Sequence, residues 1–198
     1  MTATVCLLAN TIHYPFGGGH FWAYLNWALG LRAIGCNVIW MERVHLHDEK
    51  FQIEENISIL KQRLLNYGFG DNLALFSWSG EPLPPHIKNI CLDSDTAAAE
   101  SDLLINMVNE TPEKIVKQFR RTALIDLDPG ILQHWMNAGV LNVAPHDIYW
   151  TVGENVASSG AASSNGDIEW HYTPPCVALD YWNVSDAAQN APFTTVSH

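Results

Sequence analysis

The fold class can be predicted from residues 5–42, which read VCLLANTIHYPFGGGHFWAYLNWALGLRAIGCNVIWME. The continuous apolar run at 5–9 is typical of a strand that is buried on both faces of a sheet. It is followed by Pro15 and three glycines, and residues 21–34 are then apolar on nearly every face, as in a helix packed on two sides. Gly35 is a helix stop, and residues 37–41 predict a second buried strand. The stretch therefore predicts two parallel strands joined by a helix.

The rest of the chain continues this alternation of strands and helices. Apolar residues at helical spacing predict a helix within 48–67, while Thr111 and Pro112 predict the N-cap and first residue of another helix that runs to about Arg121. Strands are predicted at 73–76, 102–107 and 123–127, followed by a short helix at 131–138 and an extended segment from 146 to 152. The order predicts an α/β fold, a Rossmann-like, doubly wound, mostly parallel sheet with helices on both faces. Ligands bind such sheets at the carboxyl ends of the strands.

Composition restricts the classes of protein. The chain has 198 residues, 47% hydrophobic and 16% charged, with a formal net charge of -11. Few lysines and arginines exclude a general nucleic-acid binder or a protein that binds anionic membranes. The N-terminus has no cationic region and no apolar stretch long enough for a signal peptide or a transmembrane segment, and four scattered cysteines indicate reduced thiols, so we expect a cytoplasmic protein.

A change of composition divides the chain. We expect residues 1–157 to form the Rossmann-like domain and residues 158–198 to be a loop and linker segment, because SSGAASSNG at 158–166 is small and polar and the following WHYTPPCVALDYW contains a proline pair.

The glycine loop is the strongest local signal for a binding site. Backbone N–H groups at a helix N-terminus, approached through Gly17, Gly18 and Gly19, suit an anionic or polar ligand group. A dinucleotide fingerprint would require a third glycine where Trp22 stands, although Glu42 matches a ribose-binding acid. A glycine turn with no ligand remains an open alternative.

His20 is the candidate catalytic base. It follows the glycines at the start of the predicted helix, where the helix dipole favours the neutral imidazole that can accept a proton. Asp126 and Asp128, at the end of a later strand, are candidate carboxylates to orient it. The alternative for Asp128 is a cap of the following helix, since Asp-Pro-Gly is also typical turn chemistry.

No metal site is predicted. His45, His47 and Asp48 form an H-x-H-D sequence, but no further ligand stands at a recognisable spacing, so we interpret this segment as a solvated loop. The tryptophans are expected to pack in the core or at an interface.

Several short motifs together resemble the N-terminal half of a two-domain glycosyltransferase of the GT-B type. They are the Gly-Gly-Gly-His opening of an apolar helix, the run GLRAIGCNVIWME at 30–42, DLDPGILQHW at 126–135 and TVGEN at 151–155. The first also looks like the glycine-histidine element of transferases that add N-acetylglucosamine to lipid-linked peptidoglycan precursors.

The resemblance implies a reaction and a site. Such enzymes transfer a sugar from a nucleotide-sugar donor to an acceptor hydroxyl held by the N-terminal domain, and they need no further cofactor. It implies catalytic roles for His20 with Asp126 or Asp128. It also implies a substrate-binding set consisting of Gly17, Gly18, Gly19, Gln133, Thr151, Gly153, Glu154 and Asn155.

The resemblance further implies a second Rossmann-like domain for the donor, and no such pattern follows Trp182. We therefore expect the chain to be part of a longer reading frame or to need a partner chain, and to be inactive alone. Two alternatives remain open at this point. One is a nucleotide (NAD)-dependent oxidoreductase domain, and the other is a non-catalytic module that binds a carbohydrate or a partner.

Overall fold

A computed structural model describes residues 2–46, 52–157, 168–184, 186 and 188–192. Within these residues the strands are β1 (Thr4–Ala9), β2 (Asn37–Val44), β3 (Leu73–Ser77), β4 (Leu92–Asp93), β5 (Leu103–Asn106), β6 (Thr122–Asp126), β7 (Ile148–Thr151) and β8 (Trp170–Tyr172). They form one sheet in the order β4-β3-β2-β1-β5-β6-β7-β8. Every neighbouring pair is parallel. The predicted α/β fold with a parallel, Rossmann-like sheet is therefore confirmed.

Helices cover both faces of this sheet. They are α1 (Gly18–Ala33), α2 (Ile53–Leu65), α3 (Pro85–Lys88), α4 (Ser94–Glu100), α5 (Glu113–Val116), α6 (Ile131–Asn137) and α7 (Glu154–Ala157), with single 3₁₀ turns at Gly70–Asn72 and Leu179–Tyr181. Because side chains alternate along a strand, Leu7 and Trp40 pack on the face with α1 and α2, whereas Cys6 and Met41 pack on the face with α4 and α5. None of the described helices is long and apolar enough to cross a membrane.

Several short elements differ from the prediction. β4 and α4 were not predicted, and α5 ends well before Arg121. The prediction that Thr111 caps α5 was wrong, because Pro112 occupies the N-cap position and the Thr111 hydroxyl donates to the Val108 carbonyl and to Asn106 Oδ1. β8 lies in the segment that we expected to be loop and linker, where it pairs with β7. The division at residue 157 itself stays a prediction.

Helix α1 is packed on both sides, as its apolar sequence predicted. Residues 176–182 lie across its outer face and meet at the Asn26 side chain, which accepts from the Ala178 amide at 2.9 Å and from the Trp182 indole at 3.3 Å. The Trp182 ring also contacts Trp22, with centroids 4.8 Å apart. At Gly30 a Cβ atom would lie 2.8 Å from Cys176 Sγ, so any larger residue there would require the cysteine side chain to shift.

The order of strands places a topological switch point at the centre of the sheet. From β1 the chain adds β2, β3 and β4 on one side and then returns to add β5 through β8 on the other. The connections that leave β1 and β5 consequently diverge to opposite faces, which opens a crevice at the carboxyl ends of these two strands. A functional site is therefore expected at the loops after β1 and β5.

Candidate site at the switch point

The loop after β1 is fixed by a buried carboxylate. Glu42 is fully buried and accepts hydrogen bonds from the Thr11 amide and hydroxyl, from the Ile12 amide and from the Trp40 indole. Burial raises the pKa of this carboxyl group, and the hydrogen bonds partly oppose the rise. Because these groups of the chain already occupy the carboxylate, Glu42 is not exposed to a ribose in the way that a dinucleotide-binding acid is.

The glycines form the start of α1. Gly17 is the N-cap residue, without a side-chain cap, and Gly18 and Gly19 are the first two residues of the helix. Arg63 from α2 stabilises the approach, since its guanidinium donates to the Pro15 carbonyl at 2.6 Å and to the Gly17 carbonyl at 3.3 Å. A Cβ atom on Gly18 or Gly19 would meet nothing within 4 Å. The first turn therefore presents open, exposed backbone at the crevice.

His20 is exposed in the first turn of α1, and its ring is oriented by a backbone group. Its Nε2–H donates to the carbonyl of Asn10, the first residue after β1, at 2.5 Å. A carbonyl oxygen can only accept, so in the neutral imidazole the lone pair resides on Nδ1. The rings of Tyr14 and Tyr24 both contact the imidazole, with centroid distances of 5.0 and 5.4 Å.

Asp126 has a different environment from the one predicted. It is buried at the end of β6, where Oδ1 accepts from the Asp128 amide at 2.9 Å and Oδ2 accepts from Gln133 at 2.8 Å and from the Thr151 hydroxyl at 3.1 Å. Burial raises its pKa. Its hydrogen bonds join the ends of β6 and β7 and the start of α6, and none of them goes to His20.

Asp128 is exposed. Burial raises the pKa of the Tyr24 phenol, with smaller contributions from the carboxylates of Glu42 and Asp128, so Tyr24 stays protonated and can donate a hydrogen bond. Asp128 does not cap α6 with its side chain, because Gly130 is the N-cap residue and has no side-chain cap. Among the described residues no hydrogen bond joins His20 to Asp126 or Asp128.

The other five residues implied by the resemblance either make contacts within the fold or are exposed. Gln133 accepts from the Gly130 amide at 2.6 Å, and Thr151 accepts from the Gly153 amide at 3.1 Å. A Cβ on Gly153 would lie 2.4 Å from Pro129 Cβ, which explains why glycine stands there. Glu154 and Asn155 are exposed in α7. Hydrogen bonds thus join Gln133 and Thr151 to Asp126, and Gly153 to Thr151. Among the described residues, no hydrogen bond connects this cluster to His20.

The crevice also contains an ion pair that was not predicted from the sequence. Arg43, the penultimate residue of β2, donates from Nη1 to Glu110 Oε2 at 2.8 Å, and its Cζ lies 4.7 Å from the centroid of the Trp78 ring. His45 contacts the same tryptophan with ring centroids 5.7 Å apart, and His13 lies 5.0 Å from His45. The sequence contains one indication of a special role for Arg43, because it is the only lysine or arginine in the strands that the structure describes.

Among the described residues, no group of three or more histidine, cysteine, aspartate or glutamate side chains is arranged to hold a metal ion. His47 and Asp48 of the H-x-H-D sequence lie outside the described residues.

No protein-family model matches the chain, and no curated protein is similar to it at a significant level.

Proposed function

We propose that this chain is the acceptor-binding domain of a GT-B type glycosyltransferase, which transfers a sugar from a nucleotide-sugar to an acceptor hydroxyl. The observation that carries the proposal is the orientation of His20. The Asn10 carbonyl fixes Nε2–H, so that Nδ1 is the basic nitrogen of an exposed imidazole at the switch-point crevice.

In the proposed reaction the acceptor hydroxyl donates its proton to Nδ1 of His20 as its oxygen attacks the anomeric carbon of the donor. The bond from that carbon to the nucleotide diphosphate breaks, and the diphosphate leaves with the electron pair. His20 becomes an imidazolium, which the Asn10 carbonyl stabilises by accepting from Nε2–H. The carbonyl thereby takes the orienting role that the resemblance assigned to a carboxylate. The open backbone at Gly18 and Gly19 gives the substrate space beside the base.

The exposed aromatic residues of the loop after β1 support a carbohydrate ligand. Tyr14 is 58% exposed and Phe16 is 84% exposed, and both lie within three residues before Gly17. Large exposed aromatic faces in a binding loop stack on apolar faces of sugar rings. The same observation favours the second candidate, a carbohydrate-binding module without chemistry.

The test is a transfer assay with the product of the complete gene. Release of nucleotide diphosphate is measured from UDP-, GDP- and dTDP-sugars in the presence of a panel of glycoside and glycolipid acceptors. His20→Ala is expected to lower kcat by about 10²- to 10⁴-fold, because it removes the general base. His20→Gln is expected to be equally inactive, since its amide can bond to Asn10 and yet cannot accept the proton.

His134→Ala is the matched control, because His134 is also an exposed histidine on a helix but lies on α6. Its rate is expected to equal that of the wild type. An unchanged rate in His20→Ala would remove His20 from the mechanism. Turnover by the 198 residues alone would contradict the assignment of this chain to the acceptor side. Sugar binding without donor-dependent release in the complete protein would favour the non-catalytic module.

A further inference from the structure

The ion pair between Arg43 and Glu110 crosses the carboxyl end of the central strand. Arg43 lies in β2 and Glu110 follows β5, and these two strands flank β1 on either side. The 2.8 Å bond from Nη1 to Oε2 therefore spans the switch point. This is the position at which open α/β sheets bind their ligands, and it here contains a guanidinium.

The guanidinium of Arg43 is held in place, but only part of its N–H donors have an acceptor. The Arg43 side chain is 13% exposed and packs against the Trp78 ring, and its Nε atom is buried with no hydrogen-bond partner among the described residues. Arginine has five N–H donors in a rigid plane. Since a buried charge is costly unless its donors are paired, the arrangement favours an additional acceptor.

Two neutral acceptors adjoin the same crevice. Asn10 follows β1 and Asn109 follows β5, and the Oδ1 atom of each is buried without a partner among the residues that the structure describes. Amide oxygens accept from hydroxyl groups, whereas a guanidinium pairs with phosphate or carboxylate oxygens. The loops on both sides of the switch point thus offer groups for a ligand that is anionic and hydroxylated.

We infer that Arg43 binds an anionic group, a phosphate or a carboxylate, of the ligand in this crevice. In the free protein the Glu110 carboxylate pairs with the guanidinium in place of that group. Glu110 suits this exchange because its side chain is 53% exposed and lies in a loop, so the carboxylate can leave for solvent. Its contact with Nη1 is the contact that a ligand oxygen would replace. In the proposed transferase the anion belongs to the acceptor, and only this last assignment rests on the proposed function.

The experiment measures the binding of two simple probes, inorganic phosphate and acetate, to the full chain. Binding is followed at the Arg43 Nε–H and at neighbouring amides in ¹H–¹⁵N spectra, at constant ionic strength maintained with chloride. Arg43→Gln is expected to weaken the binding of the preferred probe about tenfold or more, because a charge-assisted hydrogen bond is lost. Glu110→Gln is expected to tighten binding by about two- to fivefold, because an internal competitor of modest strength is removed.

Asp102→Asn is the matched control for Glu110→Gln. Asp102 pairs with Arg120 at 2.6 Å in an exposed ion pair, and it precedes β5, so it lies at the opposite, amino end of that strand. It removes the same charge from the protein and is expected to leave the binding of both probes unchanged. Equal tightening in both variants would mean that net charge alone sets the affinity, and it would overturn the assignment.

The remaining outcomes separate the ligand classes and the two proposals. Preference for phosphate indicates a phosphorylated ligand, and preference for acetate indicates a carboxylate. Absence of binding in both wild type and Glu110→Gln overturns the anion site. If Arg43→Gln does not fold, Glu110→Gln still decides, because tighter binding at Arg43 requires a folded site. Phosphate binding in a protein that fails the transfer assay would retain the anion site and refute only glycosyl transfer.

Discussion

Replacing Gly19 by alanine tests whether the glycine loop binds a ligand or is only a turn. A Cβ atom at Gly19 would meet nothing within 4 Å, and the backbone there does not have a positive φ. Alanine fits this helical conformation and restricts the unfolded chain, so Gly19→Ala is expected to stabilise the fold by about 0.4–1 kcal/mol. With a urea m-value of about 2 kcal/mol/M, the unfolding midpoint rises by roughly 0.2–0.5 M.

Gly35→Ala is the matched control. A Cβ at Gly35 would also meet nothing within 4 Å, but Gly35 has φ +91, which alanine adopts at a cost of about 1–2 kcal/mol. Urea unfolding, followed by circular dichroism, is thus expected to shift in opposite directions for the two variants. A destabilised Gly19→Ala would refute the reasoning, because it would mean that the first turn of α1 is packed or strained. A stabilised variant that loses ligand binding would show that glycine stands at position 19 for substrate access.

Two further changes test packing and protonation elsewhere in the fold. Gly153→Ala places a Cβ 2.4 Å from Pro129 Cβ, so it is expected to cost about 1–3 kcal/mol of unfolding free energy in urea titrations, and an unchanged midpoint would contradict the close approach. Burial lowers the pKa of His146 from its ordinary value of 6.5, and the ring accepts from Asn106 through Nε2, so the folded state disfavours the charged imidazole. The contribution of the neutral His146 to the free energy of unfolding is fully present above pH 6.5 and is lost as the pH falls below 6.5, by at most about 1.4 kcal/mol per pH unit. His146→Gln should therefore reduce the loss of stability between pH 7 and 5.5. Equal pH dependence in wild type and His146→Gln would exclude this role.

Local patterns sufficed to predict the centre of the fold. The strands at β1 and β2 are continuous apolar runs, and the helix between them has glycine at both ends, so neighbouring residues alone specify these elements. β4 has only two residues and β8 only three, so neither provides the periodicity from which a strand is recognised. These strands depend on pairing with β3 and β7, which sequence patterns do not reveal.

The role of His20 stays a prediction, which the sequence suggests because the glycines precede it directly. The contacts of its ring could not be predicted, because its partner is a backbone carbonyl, which has no signature in the sequence. Asp126, one of the two predicted orienters, instead bonds to residues that follow it in the chain. The pair of Arg43 and Glu110 joins residues 67 positions apart, so only the strand order brings them together.

The segment that crosses α1 has a consequence for how the two halves of the sheet unfold. Residues 176–182 follow β8, at one edge of the sheet, yet they pack on the helix that joins β1 to β2. A segment from the far edge of the sheet thus packs on the first connection, and it is expected to couple the unfolding of the strands on either side of the switch point. Trp182→Ala, which removes the contacts with Trp22 and Asn26, should therefore weaken hydrogen-exchange protection in α1 and, through it, the alignment of His20 in the first turn of the same helix.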